Sequence, residues 1–284
     1  MKYFILFFTP LFFSNHIVAQ QSSSIIAAKS PSELYIGGVL KIDEINDSEH
    51  ATINVIDDSI TISFQGIATK STTFQTGKEN MYQSLHQALS SATGPIFKAN
   101  SSFSYSLQTI SEYKDVEPYL GQTIDLRDWF GIVPSTRRPK TVMALDINRV
   151  AFTLHVDLPA NGKFNTDPNG LAGHNVEDLV YVNSLSFGRR VLVLIESNME
   201  TGIVNRAIKN IMEGDTSDGD ELVLANCTFR AVTFGNEEVI FDPSSPFSQV
   251  LNYINGEFTI ENYGLPISFS GAYLQNNSVF NNNY

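Results

Sequence analysis

The pattern of the chain predicts an α+β fold, and two observations carry the prediction. Segments of strand and helix character follow one another irregularly along the 284 residues, without the strict alternation of parallel βαβ units. Residues 181–234 then read as strand, helix, loop, strand, which lets two strands share one sheet around a helical excursion. With 42% hydrophobic and 17% charged residues, the chain can build the core of one large domain or of two intimate ones.

Residues 1–19 carry Lys2, an apolar run over 3–13 and Ile17-Val18-Ala19 ahead of Gln20, the features of a secretory signal peptide. Pro10 and Ser14-Asn15-His16 interrupt the run and leave it short for a membrane span. Residues 20–32 are small and polar and read as a flexible leader to a core over 33–275. Residues 59–64 (SITISF) alternate as a strand does. Residues 78–90 set Met81, Leu85, Ala88 and Leu89 on one helical face and leave His86 among the polar positions, where it reads as solvated. Gly94-Pro95 ends that helix.

Over residues 100–114, Phe103, Tyr105, Leu107, Thr109 and Tyr113 take odd positions, with polar residues between them until Ile110 and Ser111 break the pattern. This half-apolar strand pattern has a length comparable to a membrane β-strand, but the pattern alone favours an ordinary soluble strand with one wet face. Residues 116–130, with Pro118, Gly121 and the sole tryptophan, Trp129, read as short helices, and Arg137-Arg138-Pro139-Lys140 as a solvated turn. Residues 149–159 alternate: Val150, Phe152, Leu154, Val156 and Leu158 face one way, and Arg149, Thr153, His155 and Asp157 the other. Residues 161–174 form a loop rich in Gly, Asn and Asp.

A strand at 184–186 comes next, followed by Gly188, Arg189 and Arg190, and then by the apolar run 191–195, short enough for a strand buried on both faces. Ile203, Val204, Ala207, Ile208, Ile211 and Met212 recur at helical spacing. An acidic loop, 213–221, ends the helix, and a second strand, 222–234, stops at Gly235. Residues 246–255 (PFSQVLNYIN) read as a short helix, followed by Gly256 and a last strand at 257–260. The asparagine-rich tail, 276–284, carries no packing signal.

Several functions are disfavoured. A net charge of −12 without any Lys/Arg run argues against a nucleic-acid partner and gives no pull towards anionic headgroups. Cys227 is the only cysteine, which leaves no internal disulfide and reads as a small apolar residue on a buried strand. No nucleophile elbow, zinc-protease helix or phosphate loop is present, and His16, His50, His86, His155 and His174 lack ligand spacing. Residues 215–221 (DTSDGDE) resemble a calcium loop only faintly, because Gly219 stands where the third ligand belongs. The expectation is a protein without catalytic residues, metal or cofactor.

Four stretches, in order, carry a resemblance. They are residues 34–38 (LYIGG), 149–159 (RVAFTLHVDLP), Tyr181-Val182-Asn183-Ser184 with Phe187-Gly188-Arg189 and a strand ending at Glu196, and 258–279. Together they resemble the cholesterol-dependent cytolysins, pore-forming toxins of the superfamily shared with perforin and complement. The resemblance implies a bent, twisted antiparallel sheet flanked by two clusters of short helices, which unfurl into hairpins and join those of neighbours in a closed β-barrel. By position, the first inserting hairpin is about 103–139, with Phe103, Tyr105, Leu107 and Tyr113. The second is about 196–223, with Ile203, Ala207, Ile208 and Ile211. As a strand, that second region mixes Asn205, Ala207 and Lys209 on one face with Arg206, Ile208 and Asn210 on the other.

The resemblance also makes residues 224–234 the edge strand for oligomerisation and 246–260 the helix–strand cover that moves away. Phe229 and Gly235 match the family's aromatic and glycine, and Asn236 replaces its second glycine. The central-sheet motif falls on Tyr181, Gly188 and Arg189. The family continues beyond the position of residues 276–279 into a β-sandwich that binds cholesterol. The expectation is therefore a short form without cholesterol binding, a secreted subunit that assembles with itself and a longer cytolysin-like partner at the target membrane. A non-lytic adhesin on the same fold is the alternative.

Overall fold

Two long strands, β6 (Thr141–Asp157) and β7 (Leu179–Ser197), run antiparallel through the whole sheet and carry every other strand of one half or the other. The computed structural model describes residues 24–92, 96–97, 103–111, 113–121, 139–234 and 246–282. Residues 1–23, among them the expected signal peptide, lie outside this set, as do Gly94-Pro95, Trp129, Arg137-Arg138, Gly235 and Asn236. The described strands form one nine-stranded sheet.

In the lower half, β6 and β7 are flanked by β3 (Ser59–Gln65) and β4 (Thr72–Gln75) on one side and by β9 (Leu265–Tyr273) and β1 (Ile26–Ala27) on the other. A short β2 (Val39–Lys41) pairs with the start of β7. In the upper half, β5 (Ser104–Thr109) pairs with β6, and β8 (Cys227–Phe234) with β7, giving the four-stranded ladder β5-β6-β7-β8. Helix α1 (Lys78–Ser90) covers the lower half with Met81, Leu85 and Leu89, the face that the sequence periodicity predicts. Helices α3 (Thr201–Glu213), α4 (Asp218–Leu224) and α5 (Pro246–Asn255) belong to the upper half, as does α2 (Glu117–Leu120), a single turn.

The halves meet at Gly188. The sequence reads as a strand ending there, but β7 runs unbroken through it. A Cβ on Gly188 would lie 2.1 Å from the Arg149 carbonyl oxygen, and one on Gly264 would lie 1.9 Å from the Gly188 carbonyl oxygen. Gly264 also has a φ of +85°, a conformation open to glycine and strained for other residues. Opposite, the β6–β7 register shifts between Val150 and Phe152. Such a bulge kinks the strand and turns the following side chains over, so the inward set is Met143, Leu145, Ile147 and Arg149 before it and Phe152 and Leu154 after it. The expected alternation over 149–159 is therefore corrected at its start: Arg149 is buried and Val150 exposed.

Other expectations are also corrected. The leader read over 20–32 contributes β1, which pairs with Phe269 and Ser268, and Ile26 and Ala28 are buried. The acidic loop is short, because Gly214 caps α3 in a left-handed conformation and Ser217 starts α4 with a capping box. The second strand accordingly begins at Cys227, and Leu222, Val223 and Leu224 are helical. Residues 257–260 form no strand: the Glu257 carbonyl accepts from Arg189, and Thr259 and Asn262 exchange backbone hydrogen bonds across a turn. The last strand is β9. The tail packs too: Phe280 is buried, and Asn277 accepts from the Tyr181 hydroxyl at 3.0 Å.

Candidate functional site

The upper ladder has two differently covered faces. On one, Met143, Leu145 and Ile147 of β6 and Val191, Val193 and Ile195 of β7 meet Val204, Ala207, Ile208 and Met212 of α3. Phe247, Val250 and Ile254 of α5 complete that cluster. On the other face, Ala144, Leu192, Leu194 and Phe234 meet Ile110, Val116 and Leu120. Residues 191–195 are thus buried on both sides, as the apolar run predicts.

The second face has a charged centre. Arg190 donates from Nε to Asp146 Oδ1 at 2.8 Å and from Nη2 to Oδ2 at 3.4 Å, and its guanidinium lies over the rings of Phe234 (4.7 Å) and Tyr119 (5.9 Å). A planar fork on a carboxylate, roofed by aromatic rings, suits arginine specifically.

The first face is closed at its lower end by two more arginines. Arg149 and Arg189 are register partners on β6 and β7. Arg149 Nη1 donates to the carbonyls of Ile254 (3.0 Å) and Gly256 (2.8 Å). Arg189 donates to the carbonyls of Tyr253, Gly256 and Glu257. Both guanidiniums lie over the Phe258 ring, at 4.7 and 4.8 Å. Cations are favoured at a helix C-terminus, where the last carbonyls lack intrahelical partners. Burial, then the neighbouring Arg189 charge, lowers the Arg149 pKa.

Helices α3 and α4 are clasped to each other. Asp220 Oδ2 accepts from the Asn210 amide (3.0 Å), the Ser217 hydroxyl (2.6 Å) and the Ser217 backbone N–H (3.1 Å). Lys140, just before β6, pairs with Glu200 at the start of α3.

The residues singled out in the sequence divide between these regions. Phe103, Tyr105 and Leu107 are half-buried at the margin of the first face, and Tyr105 donates to Glu213 at 3.5 Å. Tyr113 opens a 3-10 turn, Tyr113–Val116, next to α2. Ala207 and Ile208 are buried under α3, Ile211 is partly buried, and Ile203 is exposed. Phe229 of β8 packs edge-on against Phe247 of α5, with centroids 4.8 Å apart. No described strand pairs with the outer side of β8. Tyr181 lies apart, in the lower core against Phe164, and burial pushes its phenol up to about 12. Cys227 is half-buried at the start of β8. His86 is exposed as expected, and His155 meets Gln65 across the strands at 2.9 Å.

Sequence reasoning missed Asp146 and Asp220, and placed Arg149 on a polar face. Asp220 was legible in the Ser-x-x-Asp spacing of a capping box; the burial of Arg149 depends on a bulge without a clear local signal. Among the described residues no cluster of His, Cys, Asp or Glu could hold a metal, and no helix is long and apolar enough to cross a membrane.

The family model for thiol-activated cytolysins matches residues 132–283. Ivanolysin of Listeria ivanovii is 26% identical over 150 residues, 48% of this chain and 28% of its own. Perfringolysin O of Clostridium perfringens is 25% identical over 154 residues, 49% of this chain and 31% of its own. Among solved structures, suilysin from Streptococcus suis superposes with a TM-score of 0.73 at 19% identity, over 92% of this chain and 62% of that one. Pneumolysin gives 0.73 at 19% identity, over 92% and 61%. These structural likenesses establish the fold, and the chain spans under two thirds of each relative's length.

Proposed function

The chain belongs to the thiol-activated cytolysin family, and on that premise we propose that it is a secreted subunit of a large β-barrel pore in a target-cell membrane. One observation carries the reading: the four strands of the upper ladder are joined in pairs by the helical pieces that cover them. Residues 113–120 connect β5 towards β6, and α3 with α4 connects β7 to β8. Straightening these pieces would lengthen two hairpins without breaking a β5–β6 or β7–β8 pair. In lipid every backbone group needs a partner, so the hairpins must close into a barrel with those of neighbours.

In this reading β5 and β8 form the seams between subunits. The first hairpin spans about 103–139 and presents Phe103, Tyr105, Leu107 and Tyr113. The second spans about 196–223 and carries Ile203, Ala207, Ile208 and Ile211. Helix α5 and residues 256–260 are the cover that withdraws from Phe229, with Gly235 as the hinge and Asn236, in place of the family's second glycine, reducing its freedom. A net charge of −12 gives no attraction to anionic headgroups. We therefore assign membrane recognition to a longer cytolysin-like partner in a mixed ring, and cholesterol binding forms no part of the proposal. Residues 1–19 act as the secretion signal.

Dye release from liposomes and cells tests the reading, with the protein alone and mixed with a longer cytolysin from the same genome. Release with detergent-resistant rings in the mixture supports it, and Gly235→Val should block ring formation while leaving the monomer folded. Stable monomers under every condition would sink it. They would favour a non-lytic binding protein, a reading that draws on the mixed faces α3 would present as a strand.

A further inference from the structure

Arg189 borders a cavity of about 650 Å3 between α1, α5 and residues 260–265. Its lining includes the half-buried Tyr82 and Tyr263, with His86, Asn252 and Glu261 on the exposed rim. Arg189 is only 6% exposed. Among the described residues no carboxylate pairs with it, and its acceptors are neutral carbonyls. Its neighbour across the ladder is another cation. A guanidinium so deeply buried without a counter-charge is costly, because carbonyls replace only part of the lost solvation.

The cavity walls supply unspent donors. The hydroxyls of Tyr82 and Tyr263 and the amide of Asn252 make no hydrogen bond among the described residues. We propose that this cavity is an oxyanion site, in which Arg189 is the counter-charge and Tyr82 and Tyr263 donate to a small carboxylate, phosphate or sulfate group. Charge-assisted bonds from phenol to oxyanion are short and strong. Burial raises the pKa of both phenols, so they stay protonated and donate. The same guanidinium holds the carbonyls at the end of α5. On the pore reading above, a bound anion would therefore keep the cover closed.

Calorimetric titration of the whole chain with acetate, phosphate and sulfate, each against chloride at equal ionic strength, tests the site without a membrane. Its failure is thus distinct from failure of the pore. Saturable one-to-one binding of at least one anion is expected, and the anion that binds identifies the group. The double variant Tyr82→Phe/Tyr263→Phe keeps both rings and removes two donors, so affinity should fall about tenfold or more (1.4 kcal/mol). Phosphate and sulfate also stabilise proteins through exclusion from the surface. Equal thermal stabilisation of both proteins without saturable heat, or unchanged binding by the variant, would overturn the assignment.

Discussion

The two halves of the sheet share β6 and β7 but are covered in different ways. In the lower half, α1 sits on an apolar cluster continuous with β3, β6, β7 and β9, and Phe152 stacks on Phe187 at 5.1 Å with Tyr263 5.5 Å from it. In the upper half the covering pieces are also apolar beneath, and polar contacts at their ends outnumber those of α1, where Lys78 meets Glu33 and Thr69 donates to the Ala88 carbonyl. Asp220 joins α3 to α4, two arginines lie under the end of α5, and Lys140 pairs with Glu200. Apolar burial is non-directional and adds up over area. A hydrogen-bonded clasp depends on geometry and fails once its partners separate. A cover fastened at its ends can therefore open locally while the half beneath it stays folded.

The largest effect should come from the lower core. Phe152→Ala is expected to cost about 3–5 kcal/mol, seen as a lower denaturant midpoint for the whole chain, because its ring meets Phe187, Phe64, Phe97 and Tyr263. Ile208→Ala removes a fully buried side chain of α3 at about 2–5 kcal/mol. Here the loss should appear as faster hydrogen exchange in α3 and α4, with β3 and the lower part of β6 unchanged. Uniform acceleration across the sheet would mean that the halves unfold as one unit, and the contrast would be broken.

Acid sharpens the comparison from the other side. His50 is buried in the lower half, accepts the Lys29 backbone N–H at 3.0 Å and meets Phe269 edge-on. Burial, then the Lys29 charge, lowers its pKa from 6.5 to about 4. The folded state thus resists a proton that the unfolded chain accepts, and stability is full above about 6.5 and falls as pH drops to about 4. Lys29, itself lowered to about 8 by burial despite the Asp47 charge, stays cationic across that window. The loss should total about 3 kcal/mol, and His50→Gln should flatten the slope of unfolding free energy against pH between those values. An unchanged slope would move the acid sensitivity elsewhere.

Much of this contrast is legible in the sequence, and its gaps have physical causes. Helices α1 and α5 follow from apolar periodicity, with Gly256 after the second, and they form where expected. The burial of Val191 to Ile195 follows from an unbroken apolar run. Long-range pairing was hidden. Residues 26–27 are too short to read as a strand and become one only because β9 offers an edge. Arg149 reads as a wet residue until the bulge beside it turns it inward. Gly188 reads as a break, whereas it is the point where three backbone segments crowd together.

The smallest effect tests a clasp by itself. Ser217 accepts from the Asp220 backbone N–H at 3.3 Å, and Asp220 reaches back to the Ser217 N–H at 3.1 Å, so the start of α4 has two of its free donors satisfied. Ser217→Ala removes one side of this box and one donor to the Asp220 carboxylate, a change worth about 1 kcal/mol. Because Asp220 also holds Asn210 of α3, the loss should spread from α4 into the last turn of α3 and stop there. Amide exchange should rise about five-fold at residues 210–224 and stay constant in β8. Accelerated exchange in β8 as well would show that the clasp steadies the strand that follows it, and the covering piece and the ladder would no longer be separable.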